Sequence, residues 1–304
     1  MAVRQVRGGG RTADGLPAEQ HTLYFFTSPN LRDWTLTSAI KGGIGDDHYL
    51  YECPDLFELP VDGDAAHKKW VLMAADSEYA VGSFDGTTFK PEQSRIRGNF
   101  GRGFYAPQTF SDMPDGRRVQ IGWFKTTTPG MPFNQSLSIP HELTLTATAE
   151  GPRIVRAPAR EMVRLRARSH HIGAMTLRPG SANPLGGIAV ELVEIRAAFE
   201  PGDASTVAFT VRGARIAYAA AAQELTVNDL RVSAPLRGGE QRLAIFCDRT
   251  GLEIFAGDGR IYVPLPFQPN SGDLALEVKA VRGGTNFTAL DVYELKSIWF
   301  RGLE

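Results

Sequence analysis

The 304-residue chain has only two cysteines, Cys53 and Cys247, far apart in sequence. That excludes a disulfide framework and any paired-cysteine zinc spacing. His48, His141, His170 and His171 show no ligand-like spacing, so neither a metal nor a cofactor is expected, and these histidines read as structural or exposed. An excess of one charge is missing too: 33 basic residues stand against 34 acidic ones, a net charge of -1. Nucleic acid is therefore not an expected partner. No apolar run approaches bilayer-spanning length, so no membrane partner is expected. The opening Met1-Ala2-Val3-Arg4-Gln5 is not a secretory leader, and localisation stays unassigned. Gly8-Gly9-Gly10 is followed neither by Gly-Lys-Ser/Thr nor by a helix. It reads as a hairpin loop, not a phosphate cradle.

What the chain does contain is turn-formers and aromatics: 32 Gly, 19 Pro, 17 Phe and 8 Tyr. With 42% hydrophobic and 22% charged residues it can bury a sizeable core. Its length favours two domains. Short alternating runs such as Thr22–Thr27, Lys69–Ala74, Tyr79–Phe84, Gly103–Phe110, Arg118–Phe124 and Glu142–Ala147 read as strands between Gly, Pro and Asp turns. Asp85-Gly86 is a hairpin signal. The pattern is all-β and fits a propeller, barrel or sandwich, with weak repetition at a blade-like period of roughly 40–50 residues. Ala157–Arg168 carries an apolar stripe of Ala159, Met162, Val163 and Leu165 among arginines and reads as a helical connector. From about Ile172 the alternating segments lengthen, through Ile188–Phe199, Arg242–Asp248 and Leu290–Trp299, as in a two-sheet sandwich. There Asp248-Arg249 beside Glu253 reads as a surface strand pair, and Cys247 as a small buried hydrophobe.

The stretch with chemical promise is Tyr51-Glu52-Cys53-Pro54-Asp55-Leu56-Phe57-Glu58-Leu59. Pro54 fits only a first strand position or an edge, which places Glu52 and Cys53 at a strand mouth. A carboxyl crowded by Tyr51 and Cys53 in a partly dry pocket favours the protonated, proton-donating form. An exposed strand-end glutamate fits the same local pattern.

In order and spacing, the stretch from Tyr51 to Gly63 resembles the Glu-Cys-Pro region of glycoside hydrolase family 32, the β-fructosidases. Similar in sequence are Gly82–Phe89, Phe104–Phe110, Arg117–Trp123 and Ser138-Ile139-Pro140-His141-Glu142-Leu143. Phe246-Cys247-Asp248-Arg249 with Glu253–Gly259 resembles the family's sandwich module, and the resemblance runs from about Thr22 to near the end.

The resemblance implies a five-bladed β-propeller followed by a β-sandwich, divided here as a catalytic domain 1–158, a connector 159–171 and a sandwich 172–304. It implies a retaining enzyme acting on levan, inulin or a shorter fructoside. The Glu of Glu-Cys-Pro, Glu52, protonates the leaving oxygen, and an Asp in an Asn-Asp-Pro motif attacks the anomeric carbon. An Asp in an Arg-Asp-Pro motif binds fructosyl hydroxyls. Cys53 lines the pocket, Tyr105 and Trp123 offer stacking faces, and Gln108 and Asn134 are candidates for hydroxyl binding. For Tyr105 and Trp123, packing within an inner strand is the competing reading.

Neither Asn-Asp-Pro nor Arg-Asp-Pro occurs in the chain. Asp46 and Asp47 precede Glu52 by a few residues, in the loop entering its strand, and are not read as the missing nucleophile. Residues 1–158 suffice for about three blades. The chain thus looks like a family member without its first blade and most of its second, expected either to tend to associate through exposed blade edges or to hold its N-terminal hairpin, around residues 1–38, loosely. Asn99 and Gly103 stand where many relatives carry Asp. Two functions are expected in the alternative: a fructoside hydrolase, inactive as it stands, or a non-catalytic sugar-binding remnant.

Overall fold

The computed structural model describes residues 2–11, 17–44, 50 and 52–298. Asp46, Asp47, His48, Tyr51 and Trp299, all named above, lie outside the described residues. The chain divides into two compact units. One takes residues 1–99, 104–123 and 142–154; the other takes 100–103, 124–141 and 155–304.

The first unit is a stack of short sheets. Strands β1 (Ala2–Arg11), β2 (Pro17–Thr27) and β3 (Thr35–Ile44) form an antiparallel three-stranded sheet. Gly8–Gly10 does not form the expected hairpin loop but continues β1, with an irregular register between Gly8 and Arg11. Four strands follow as an antiparallel meander: β4 (Asp55–Val61), β5 (Asp64–Met73), β6 (Tyr79–Phe84) and β7 (Phe89–Pro91). The last hairpin is closed by Asp85, whose Oδ1 accepts the Thr87 and Thr88 amides at 2.9 and 2.7 Å. Then come β8 (Phe104–Phe110), β9 (Arg118–Phe124), β10 (Ser136–Leu137), β11 (His141–Thr146) and β12 (Arg153–Pro158), with β8 paired to β9, β9 to β11 and β11 to β12; of these, β10 belongs to the second unit.

Both faces are covered along Val71–Met73 of β5 and Tyr79–Gly82 of β6, which explains the continuous apolar runs there in place of strict alternation. Leu72, Ala74 and Ala80 pack with Leu23 and Phe25 of β2. Val71, Met73 and Val81 pack on the other side with Leu143 and Leu145 of β11 and Ile154 of β12.

The expected helix over Ala157–Arg168 is not there: a 3₁₀ turn occupies Arg160–Leu165, and the chain is a strand before and after it. Pro158 is ill-suited to a helix interior, and no residue of the turn is buried, so its apolar stripe meets no face that would stabilise a longer helix.

The second unit holds a sandwich. Its strands are β13 (Arg166–His171), β14 (Met175–Leu177), β15 (Val193–Pro201), β16 (Thr206–Val211), β17 (Ala214–Ala219) and β18 (Glu224–Val227). They continue as β19 (Leu230–Ser233), β20 (Gln241–Cys247), β21 (Gly251–Ala256), β22 (Ile261–Pro266), β23 (Leu276–Arg282) and β24 (Thr285–Leu295). One sheet runs β13-β24-β15-β20-β21-β22, the other β19-β18-β17-β16-β23. Val207, Phe209 and Val211 of β16 are buried at alternate positions and meet Phe199, Ile245 and Val263 of the facing sheet in a single core. Cys247 sits in that core as a small hydrophobe, its thiol pushed up to about 12 by burial.

β21 and β22 are buried on both faces. Leu252, Ile254 and Val263 point into the sandwich core. On the opposite face Glu253 is not part of a surface pair, as its sequence context suggests, but is only 5% exposed. Its carboxylate accepts the Ile139 amide at 2.9 Å, the Tyr262 hydroxyl, and His141 Nε2 at 3.4 Å. The buried His141 ring also stands edge-on to Phe255 and Tyr262.

His141 gives the fold a pH signature. Burial lowers its pKa below 6.5, and Arg156 pushes the same way, against the hydrogen bond and charge of Glu253. A depressed histidine keeps its full stabilisation above the unfolded value and loses it on acidification. Buried Asp248, whose pKa burial raises above 3.8, contributes with the opposite sign in a more acidic range. Unfolding free energy is therefore expected to fall as pH drops below about 6.5, and His141→Asn to flatten that limb, in denaturant titrations at stepped pH.

Candidate active site

Glu52 and Cys53 stand immediately before β4, with the half-buried Pro54 leading into the strand. Both have left-handed backbones, at φ 48° and 41°, as does buried Leu50 at φ 52°. Opposite them Ala106, within β8, has φ 45°. Non-glycine residues in this region cost about 1–2 kcal/mol each, so the surroundings must hold them there.

Hydrogen bonds supply that restraint. The Ala75 amide donates to the Glu52 carbonyl at 3.0 Å, and the Ala75 carbonyl accepts the Ala106 amide at 2.7 Å. Gln108 Nε2 donates to the Cys53 carbonyl at 3.1 Å and to the Pro107 carbonyl at 3.0 Å. The Glu52 carboxylate, half-buried, accepts the Tyr105 hydroxyl on Oε2 at 2.7 Å. Tyr105 in turn meets Trp123 of β9 edge-on, ring centroids 6.3 Å apart, and Trp123 is 39% exposed. The result is a carboxyl oriented by a phenol, beside an accessible aromatic face and an exposed thiol.

Of the residues singled out from sequence, Glu52, Cys53, Tyr105, Gln108 and Trp123 are linked by these contacts. Asn134 is not among them: it belongs to the second unit, exposed, next to Gln135, whose amide donates to Thr128 Oγ1 at 3.1 Å. Two features have little sequence signal. Asp55, three residues after Glu52, accepts the Thr109 amide at 2.8 Å, and its pKa is raised by burial against Thr109 and Arg118. A cleft of about 660 Å³ opens beside it, lined by Trp34, Trp70, Phe84, Pro54, Asp55 and Gln108 among others. Glu52 is not in that lining, so the cleft adjoins the Glu52 group and does not contain it. Adjacency to Glu-Cys-Pro could have flagged Asp55; nothing in the sequence marks Ala75.

Among the described residues no three His, Cys, Asp or Glu side chains gather as a metal would require. No helix of the described chain is long and apolar enough to cross a membrane.

A Bacillus subtilis (strain 168) levanase is 33% identical over 320 residues, covering 91% of this chain and 47% of the levanase. An extracellular exo-inulinase of Aspergillus ficuum is 26% identical over 334 residues, 93% of this chain and 61% of the inulinase. The chain thus spans about half the length of that levanase. Among solved structures, exo-inulinase from Aspergillus awamori superposes with TM-score 0.75 at 22% identity, covering 94% of this chain and 66% of the inulinase. Fructan 1-exohydrolase IIa from Cichorium intybus gives 0.69 at 17%, covering 97% and 70%. At those identities the likeness establishes the all-β, propeller-and-sandwich fold. Residues 12–158 match the glycosyl hydrolases family 32 N-terminal domain and 161–294 the family 32 C-terminal domain, so this chain belongs to glycoside hydrolase family 32.

Proposed function

We propose that the chain carries the proton-donating half of a β-fructosidase site, for levan, inulin or a related fructoside. The observation that carries this reading is the 2.7 Å hydrogen bond from the Tyr105 hydroxyl to the Glu52 carboxylate at a strand mouth whose backbone is held left-handed. A carboxyl so placed can protonate a leaving glycosidic oxygen and afterwards take a proton from water, the two tasks of the acid/base in a retaining mechanism. Trp123 and Tyr105 supply apolar faces for a sugar ring, Cys53 lines the wall, and Gln108 is the candidate for sugar hydroxyls. The catalytic part is residues 1–158, joined through 159–171 to the sandwich at 172–304. Its three groups of strands, β1–β3, β4–β7 and β8–β12, correspond on this reading to about three blades of a five-bladed ring. The open edge of β1 is where copies would associate.

A retaining glycosidase needs a second carboxyl about 5–5.5 Å from the first, to form the glycosyl-enzyme. With no Asn-Asp-Pro or Arg-Asp-Pro run in the chain, the second reading, a sugar-binding module without turnover, describes the chain on its own.

Binding tests the site. Titrated with an inulin-type oligosaccharide, the protein should show a saturable change in tryptophan fluorescence. Trp123→Ala should weaken binding about tenfold, the worth of one stacked aromatic face. A protein whose binding is indifferent to both Trp123→Ala and Tyr105→Ala has its sugar elsewhere, and the reading fails.

A further inference from the structure

The Glu52 carboxyl is aimed by a closed ring of contacts, and one residue, Ala75, lies at its centre. Ala75 donates its N–H to the Glu52 carbonyl and accepts the Ala106 N–H on its own carbonyl. Ala106 follows Tyr105, whose hydroxyl returns to Glu52 Oε2. Main chain and side chain of Glu52 are thus both tied, directly or through β8, to Ala75. Because the N–H and C=O of Ala75 belong to different peptide planes, a rotation at Ala75 must lengthen one bond or the other.

Ala75 lies in the turn Ala74–Glu78 between β5 and β6, itself unusual. The Ala74 amide donates to the Glu78 carbonyl, the Ser77 amide to the Ala74 carbonyl, and the Glu78 amide to Asp76 Oδ1, each at 2.9 Å. Ser77 is fully buried and left-handed at φ 66°. What pins it comes from outside the turn. Asn99 Nδ2 donates to the Asp76 carbonyl at 3.0 Å and to Ser77 Oγ at 2.7 Å. The first of these fixes the peptide next in line to the one carrying the Ala75 carbonyl. The preceding Gly98 lies so close that a Cβ there would stand 1.8 Å from the Ser77 carbonyl oxygen. Asn99 is itself anchored: Tyr79 and Ile96 exchange backbone hydrogen bonds at 2.9 and 2.8 Å, and Arg95 pairs with Glu78 at 3.2 Å.

We propose that Asn99 is a positioning residue for Glu52, holding the Ala74–Glu78 turn so that Ala75 can clamp the acid's main chain and the tyrosine that aims its carboxyl. An asparagine suits the task because a single amide nitrogen carries two donors, one for each acceptor in the turn. The inference rests on the reading of Glu52 as the acid/base, yet its test reads hydrogen bonds and not sugar, so the two can fail separately.

The experiment compares the protein with Asn99→Ala, Tyr105→Phe and the double variant, by amide exchange and by carbon-detected NMR titration of the Glu52 carboxyl, assigned with Glu52→Gln. Asn99→Ala should speed exchange at Ala75 and Ala106 by about tenfold, the worth of one to two hydrogen bonds, while Val71 in β5 is unmoved. Removing a donor from a carboxylate shifts its titration to higher pH. Tyr105→Phe should do so, Asn99→Ala should follow in the same direction, and the double variant should shift no further than Tyr105→Phe alone. Additive shifts, or a Glu52 titration indifferent to Asn99→Ala, would overturn the proposal. So would uniformly faster exchange along β5, which marks Asn99 as only a stabilising residue. If Asn99→Ala does not fold, the wild-type protein decides: Ala75 and Ala106 amides must be as protected as Val71, and rapid exchange at either one means the ring is open.

Discussion

Purified and incubated with levan or inulin, the 304-residue chain should release no fructose above the substrate's own background, and Glu52→Gln should make no difference. The expectation follows from the chemistry of retention. Proton donation assists departure of the leaving group, but the glycosyl-enzyme needs a carboxylate nucleophile on the other side of the sugar. A general acid by itself is worth about 10²–10⁴ in rate, whereas removing a member of a concerted catalytic set costs several orders of magnitude more. An end-point assay for free fructose is sensitive enough to separate those cases. Fructose release that Glu52→Gln abolishes would mean that the chain supplies its own nucleophile.

Glu253→Ala should be the most destabilising single change in the second unit's polar interior. Its carboxylate takes three donors in a place without solvent: the Ile139 amide, the Tyr262 hydroxyl and His141 Nε2. His141 and Tyr262 are fully buried. Deleting the acceptor at the centre of such a group costs about 3–5 kcal/mol, and more than the packing lost by trimming the side chain. In a protein of this size that lowers the thermal midpoint by about 5–8 °C. Glu253→Gln, which keeps an acceptor oxygen, should recover at least half of the loss. Equal midpoints for the two variants would show that side-chain volume, not hydrogen bonding, matters at this position.

The features legible in the sequence are those written in short-range chemistry. Asp85-Gly86 announces a hairpin, and the Asp85 carboxylate closes it on Thr87 and Thr88. The Glu52-Cys53-Pro54 run marks a strand start because proline excludes a central position, and β4 does begin at Asp55. The alternation in β16 reads directly as one face buried.

Features decided by distant partners were illegible. The stripe over Ala157–Arg168 has helical spacing but meets no apolar face, and a 3₁₀ turn between strands results. Glu253 looks like a surface residue until β21 is found buried on both sides, with the Ile139 amide brought to it from the segment before β11 and the Tyr262 hydroxyl from β22. Asn99 carries no signal of its hold on Ser77, 22 positions earlier, and Ala75 has no side-chain chemistry to announce anything.

On the proposed reading Glu52 is the acid, and the chain supplies no group to form the covalent bond. Intact-protein mass spectrometry tests it most directly. The chain is mixed with an activated fructoside and quenched in acid, with Glu52→Gln run alongside to slow any breakdown of a trapped intermediate. The account predicts the unmodified mass in both samples. A species one fructosyl residue heavier, mapped by peptide analysis to an aspartate or glutamate of this chain, would contradict it.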